Sequence, residues 1–173
     1  YVMNHAEVKV LFVGDEKQYH KALEVASQCP TLQMIVVCDN EVPLTEKQYS
    51  IHWNDFLALG NSPQYDTELD KRIVERNLDD LFTIIYTSGT TGEPKGVMLT
   101  YENLAFQMVG HTERLSTVDN TDTSLAFLPL SHVFERAWTY FCLYKAITVY
   151  YLDDTNLVRE ALAEVRPTLM CAV

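Results

Sequence analysis

Met34-Ile35-Val36-Val37-Cys38 is an unbroken apolar run bounded by polar residues. A strand that is apolar at every position has both faces buried, which is the signature of a parallel sheet covered by helices. Reading backwards, Val8-Lys9-Val10-Leu11-Phe12-Val13 is a second strand, closed by Gly14-Asp15. Between the two, Tyr19, Ala22, Leu23 and Ala26 recur at helical spacing, and this predicts a helix from about Glu16 to Gln28, ended by Cys29-Pro30. Strand, helix and strand in some thirty residues form a βαβ unit. The fold class expected is therefore α/β: a layered, mostly parallel sheet flanked by helices.

Forward of Cys38 the pattern weakens. Residues 39–63 are rich in turn formers and are read as a surface crossing, with one short helix near Asn54–Leu59. Residues 65–78 carry many charges and are read as a solvated helix or a connector. Phe82-Thr83-Ile84-Ile85-Tyr86 restores the strand pattern, and Val97-Met98-Leu99-Thr100 repeats it. Thr100 is a good N-cap for a helix from Tyr101 to about Arg114, with Leu104, Met108 and Leu115 inward. Ser124–Leu128 is a strand stopped by Pro129, and Ser131 is read as the cap of a helix running to about Tyr144. A strand over Ile147–Leu152, a helix over Asp153–Glu164 and a strand from Leu169 complete the reading.

Composition narrows the function. Apolar residues make up 47% and charged residues 21%, a globular mixture and not a disordered one. No apolar run approaches the roughly 20 residues that span a bilayer, and Tyr1–His5 lack the pattern of a secretory leader. The net charge is −11, with seven basic and fourteen acidic side chains in residues 1–80 and six and ten in residues 81–173. Neither part supplies a basic face, so no nucleic-acid partner is expected. Cys29, Cys38, Cys142 and Cys171 form no CxxC pair. They read as reduced, buried thiols of a cytoplasmic protein, with Cys38, Cys142 and Cys171 in apolar surroundings.

Between the strands at 82–86 and 97–100 lies the segment that carries chemistry. Thr87–Gly96 holds three glycines, four hydroxyls and one lysine in ten residues. Glycines let backbone amides approach an anion closely, and the hydroxyls and Lys95 add donors. Such a loop suits the β- and γ-phosphates of a nucleotide. It is not the Walker A pattern, because its lysine follows a proline and the loop joins two strands.

Tyr86-Thr87-Ser88-Gly89-Thr90-Thr91-Gly92-Glu93-Pro94-Lys95-Gly96 resembles the AMP-binding signature of the adenylate-forming superfamily, which includes acyl-CoA synthetases, luciferases and peptide-synthetase adenylation domains. Leu128-Pro129-Leu130-Ser131-His132-Val133-Phe134-Glu135-Arg136 is similar to the LPLxHxFER segment of long-chain acyl-CoA synthetases. The resemblance is strong from Asp79 onward and weak over residues 1–78, and it makes residues 1–173 part of a large N-terminal domain. It implies a fatty acid–CoA ligase: a long-chain carboxylate attacks MgATP to give acyl-adenylate and pyrophosphate, and coenzyme A then displaces AMP. By the same resemblance Thr87, Ser88, Gly89, Thr90, Thr91, Gly92 and Lys95 hold the β- and γ-phosphates, and His132 lies near the acyl carboxylate or caps a helix.

For Glu135 and Arg136 an ion pair and a direct role both stay open. Tyr101 stands where many relatives have histidine. Arg136 occupies the place of a gating tryptophan, and Trp138 reads instead as a core residue beside Phe134 and Phe141. The family's adenine, ribose and magnesium contacts, hinge and C-terminal domain lie beyond the matched region. No metal ligand is therefore expected here, and these residues alone are expected not to complete either half-reaction. Uncovered sheet edges would favour a homo-oligomer, and a fatty substrate would allow peripheral membrane contact. A ligase for a shorter acyl or aryl acid, and a non-catalytic nucleotide-binding or interaction module, are the other readings.

Overall fold

A computed structural model describes residues 1–88 and 92–172. The chain divides into two compact units, Tyr1–Arg76 and Asn77–Val173.

In the first unit a short helix, α1 (Val2–His5), precedes β1 (Val10–Val13), α2 (Glu16–Ala26) and β2 (Met34–Val37). β1 and β2 are parallel, in register from Val10 opposite Met34 to Val13 opposite Val37. Asp15 caps α2, its carboxylate accepting from the Gln18 amide at 2.7 Å. Tyr19 and Ala22 bury the inner face of α2 against Val13, Ile35 and Val37. The Tyr19 hydroxyl donates to Ser50 Oγ at 3.0 Å and accepts from the Glu46 amide at 3.3 Å, which satisfies a polar group with no solvent exposure. Ser50 belongs to β3 (Ser50–His52), a third parallel strand beside β2. The turn-rich reading of residues 39–63 missed this strand. Its three residues have no apolar periodicity of their own, and pairing with β2 makes it a strand. α3 (Trp53–Leu59) follows, and α4 (Pro63–Glu75) resolves the charged segment as a helix with proline in its first turn. Cys38 corrects the cysteine reading: β2 ends at Val37, and Cys38 is exposed while Cys29 is buried.

The second unit opens with an antiparallel hairpin, β4 (Leu81–Thr87) and β5 (Lys95–Thr100), paired from Leu81 opposite Thr100 to Thr87 opposite Lys95. This two-stranded ladder is separate from both parallel sheets. Thr100 passes the chain into α5 (Tyr101–Arg114) through a reciprocal cap: its Oγ1 accepts from the Asn103 amide at 3.4 Å, and its own amide donates to Asn103 Oδ1 at 2.9 Å. β6 (Thr123–Ala126), α6 (Val133–Tyr144) and β7 (Thr148–Tyr151) come next. A single 3-10 turn at Thr155–Leu157, capped by Asp154, then leads into α7 (Val158–Val165). The helix expected from Asp153 therefore starts later, and it ends at Arg166 in the left-handed region, φ 49°. β8 (Leu169–Met170) pairs with β6, giving the all-parallel order β7-β6-β8. Met108, Val118, Phe141, Cys142 and Ile147 form the core, with Leu104, Leu115 and Trp138 packed around it.

α6 buries more than apolar groups. Glu135 is fully buried. It accepts from Thr139 Oγ1 at 3.3 Å, and among the described residues its Oε2 has no hydrogen-bond partner. Burial pushes its carboxyl above the ordinary glutamate value near 4.5. Burial also raises the Cys142 thiol, and raises that of Cys171 to about 11, so both stay protonated at neutral pH.

Two stability tests follow from these contacts. Thr100→Ala should lower the unfolding free energy by about 1 kcal/mol and Thr100→Ser by much less; equal urea midpoints for the alanine variant and the parent would contradict the cap. Glu135 has a folded pKa above its unfolded one. Its contribution is therefore full below pH 4.5 and is lost as pH rises through the folded value. The neutral isostere Glu135→Gln should melt higher than the parent at pH 8, with the gap closing toward pH 4.5. A gap independent of pH would show that the fold does not raise the Glu135 carboxyl.

A candidate nucleotide-binding cleft

The hairpin and the turn after β6 face each other across a cleft of about 590 Å³. Tyr86, Thr87 and Ser88 stand on the hairpin side; Pro129, Ser131 and His132 stand on the other. Residues more than forty positions apart in the chain thus share one space.

Each wall has a local cause. β4 and β5 hold Thr87 directly opposite Lys95, so the end of the ladder places the lysine across from the first hydroxyl of the loop. Gly96, next on β5, faces Tyr86. A Cβ there would lie 3.0 Å from Ile84 Cγ2 and 3.2 Å from Tyr86 Cζ, so this glycine lets those two side chains close over the strand. Gly92 has φ +95°, a conformation that a side chain would strain. Gly89, Thr90 and Thr91, three of the expected phosphate-binding residues, lie outside the described residues.

On the opposite wall Pro129 starts a turn closed by the His132 amide donating to the Pro129 carbonyl at 2.9 Å. This turn delays the helix by one residue. The cap of α6 is therefore His132 and not Ser131: its Nδ1 accepts from the Phe134 amide at 3.3 Å. With Nδ1 taken up as an acceptor, Nε2 is the ring nitrogen left to donate.

Beyond the cleft lies a smaller apolar cavity of about 290 Å³, between the hairpin, α5 and α6. Ile85, Leu99 and Val133 line both spaces, so the two are neighbours sharing a wall. Arg136, on this cavity, donates through Nε to the Leu130 carbonyl at 2.7 Å and through Nη1 to Thr83 Oγ1 at 2.6 Å. It turns toward the hairpin while Glu135 turns into the core, so the two form no ion pair. The sequence singled out this pair without finding either role. Trp138, expected as a buried core residue, is half-buried and packs against the core from its edge. Its indole N–H donates to Ser124 Oγ at 2.9 Å, and its ring lies 5.7 Å from Phe141 and 6.5 Å from His111. Phe134, expected beside it in the core, is 45% exposed. Tyr101 packs on Phe82 at 5.2 Å.

The described residues contain no group of three or more His, Cys, Asp or Glu side chains able to hold a metal ion, and no helix among them long and apolar enough to cross a membrane. What the cleft offers is a set of hydroxyl and imidazole groups beside an apolar space.

Known proteins resemble this chain in sequence and in fold. The AMP-binding enzyme family matches residues 1–173. Long chain acyl-CoA synthetase 3 of Arabidopsis thaliana is 32% identical over 185 residues, covering 100% of this chain and 27% of that protein. The long-chain-fatty-acid–CoA ligase ACSBG2 of Xenopus laevis is 34% identical over 181 residues, covering 100% of this chain and 24% of that protein. Among solved structures, ATP-bound MatB from Rhodopseudomonas palustris shares the fold with a TM-score of 0.66 at 22% identity, covering 98% of this chain and 30% of that one. The chain thus spans about a quarter of the length of these curated relatives. The match takes in the whole chain, with the hydroxyl-rich hairpin in its second unit, and on that ground the chain belongs to the AMP-binding enzyme family.

Proposed function

We propose that this chain is the phosphate-binding part of an ATP-dependent long-chain fatty acid–CoA ligase. The observation that carries the reading is the shared cleft: Thr87 and Ser88 stand on one wall, His132 on the other, and an apolar cavity adjoins them. The names of the Arabidopsis and Xenopus relatives support the long-chain substrate, and the ATP carried by the MatB structure supports the nucleotide.

In this reading Thr87, Ser88, Gly89, Thr90, Thr91, Gly92 and Lys95 hold the β- and γ-phosphates. The fatty carboxylate oxygen attacks the α-phosphorus, and the bond to the β-phosphate oxygen breaks. Pyrophosphate leaves with the extra negative charge, so donors fixed around it stabilise the transition state more than the ground state. The His132 Nε2–H donates to the carboxylate and orients it. The alkyl chain lies in the apolar cavity, where it is removed from water. Magnesium accompanies ATP, and coenzyme A thiol takes the acyl group from the adenylate. Residues 1–78 and 79–173 act as parts of one N-terminal domain. A cytoplasmic location, peripheral membrane contact and self-association through exposed apolar side chains such as Met98 and Phe106 belong to the same proposal.

The test is ATP–pyrophosphate exchange by the whole protein with a panel of carboxylic acids. Long-chain fatty acids should drive exchange, and Lys95→Ala should lower its rate by roughly tenfold to a hundredfold, the loss of one charged donor to the departing phosphates. Exchange driven by aryl or short acids would replace the substrate, and a folded protein inert with every acid would mean a non-catalytic role.

A further inference from the structure

Among the described residues, the β4–β5 hairpin makes no backbone ladder with β6, β7 or β8. Its place relative to the His132 turn is therefore set by side chains and by the short connections at its ends. Among the described residues, an aromatic contact and a hydrogen bond from α6 reach it. Phe82 packs edge-on against Tyr140 with ring centroids 5.0 Å apart. Such a contact attracts, but tolerates sliding. The other link is Arg136, whose guanidinium spans two segments at once, the Leu130 carbonyl at 2.7 Å and Thr83 Oγ1 at 2.6 Å. A planar, rigid fork bonded at two points fixes both distance and angle. Leu130 lies two residues before His132, and Thr83 lies four residues before Thr87 on the same strand. Arg136 thus ties together, on the adjoining apolar cavity, the two segments that further along carry the candidate phosphate and carboxylate groups.

We propose that Arg136 is a positioning residue: a clamp that sets the spacing between the phosphate-loop hairpin and the His132 turn. Its activity test rests on the ligase reading above. Misplacement of reacting groups by about 1 Å costs on the order of a hundredfold in rate. The clamp should therefore show itself in kcat and not in KM.

The decisive variants are Arg136→Met, which keeps an apolar stem in the cavity wall, Arg136→Lys, Thr83→Val, and Thr83→Val combined with Arg136→Met. In ATP–pyrophosphate exchange by the whole protein with a long-chain fatty acid, Arg136→Met should lower kcat by roughly tenfold to a hundredfold, with the KM for ATP changed by less than about threefold. Arg136→Lys should recover part of the loss, since an ammonium keeps the charge without the fork. The double variant should be no worse than Arg136→Met by more than about twofold, because both changes cut the same link. Amide hydrogen exchange supplies a readout free of activity. The His132 amide, bonded to the Pro129 carbonyl, should exchange faster in Arg136→Met, while the Leu115 amide, bonded to the His111 carbonyl at the end of α5, stays as protected as in the parent. Losses that simply add in the double variant, or exchange that rises equally at both amides, would overturn the clamp and leave a general packing role. A parent protein without fatty-acid-dependent exchange would overturn the ligase reading instead, and the amide measurement would still decide the clamp.

Discussion

Backbone ladders hold a strand only against another strand, and among the described residues the hairpin that carries the phosphate-loop residues pairs with no third strand. This constraint governs the second unit. The hairpin is located by what leads into it and out of it: the Tyr101 amide donates to the Asp80 carbonyl at 3.1 Å, the Glu102 amide to the Leu78 carbonyl at 2.9 Å, and Thr100 caps the helix that follows. Against α6 it is located by Phe82 and Arg136. The shape of the cleft therefore rests on a few directional contacts and not on a continuous sheet.

α6 serves two masters through its periodicity. Glu135, Thr139 and Cys142 recur at intervals of four and three and are buried. Arg136 and Tyr140 recur at an interval of four on a neighbouring face and meet the hairpin. Adjacent residues on a helix point about 100° apart, so Glu135 and Arg136 cannot meet although they are neighbours in sequence. The buried carboxyl is an expense of this arrangement, since an ionised Glu135 would lack a partner for one oxygen. The same helix begins on the His132 imidazole, which joins helix capping to the cleft wall in one side chain.

The first unit follows simpler rules. Its central strand is apolar throughout because β1 and β3 flank it and both of its faces are covered. The buried Tyr19 hydroxyl in its core is internally satisfied by Ser50 and the Glu46 amide. The contrast with Glu135 separates a core built for packing from one that lies beneath a candidate site.

The sequence by itself determined the elements whose cause is local. Apolar runs and helical spacing identified β1, α2 and β2; Thr100 announced α5; the density of glycine, hydroxyl and lysine between two strands marked the phosphate loop. By resemblance it also placed His132 near the acyl carboxylate, through a motif with no visible geometric tie to that loop. Tertiary structure decided whatever depends on a partner distant in the chain. Ser50-Ile51-His52 becomes a strand only because β2 offers a free edge. His132 replaces Ser131 as a cap because the Pro129 turn consumes one residue more. Cys38 is exposed because β2 stops one residue earlier than its apolar run. Arg136 finds Thr83 across 53 positions of sequence. Local periodicity encodes which face of an element is apolar; it does not encode what that face will meet, because the meeting is settled by packing among all the elements at once.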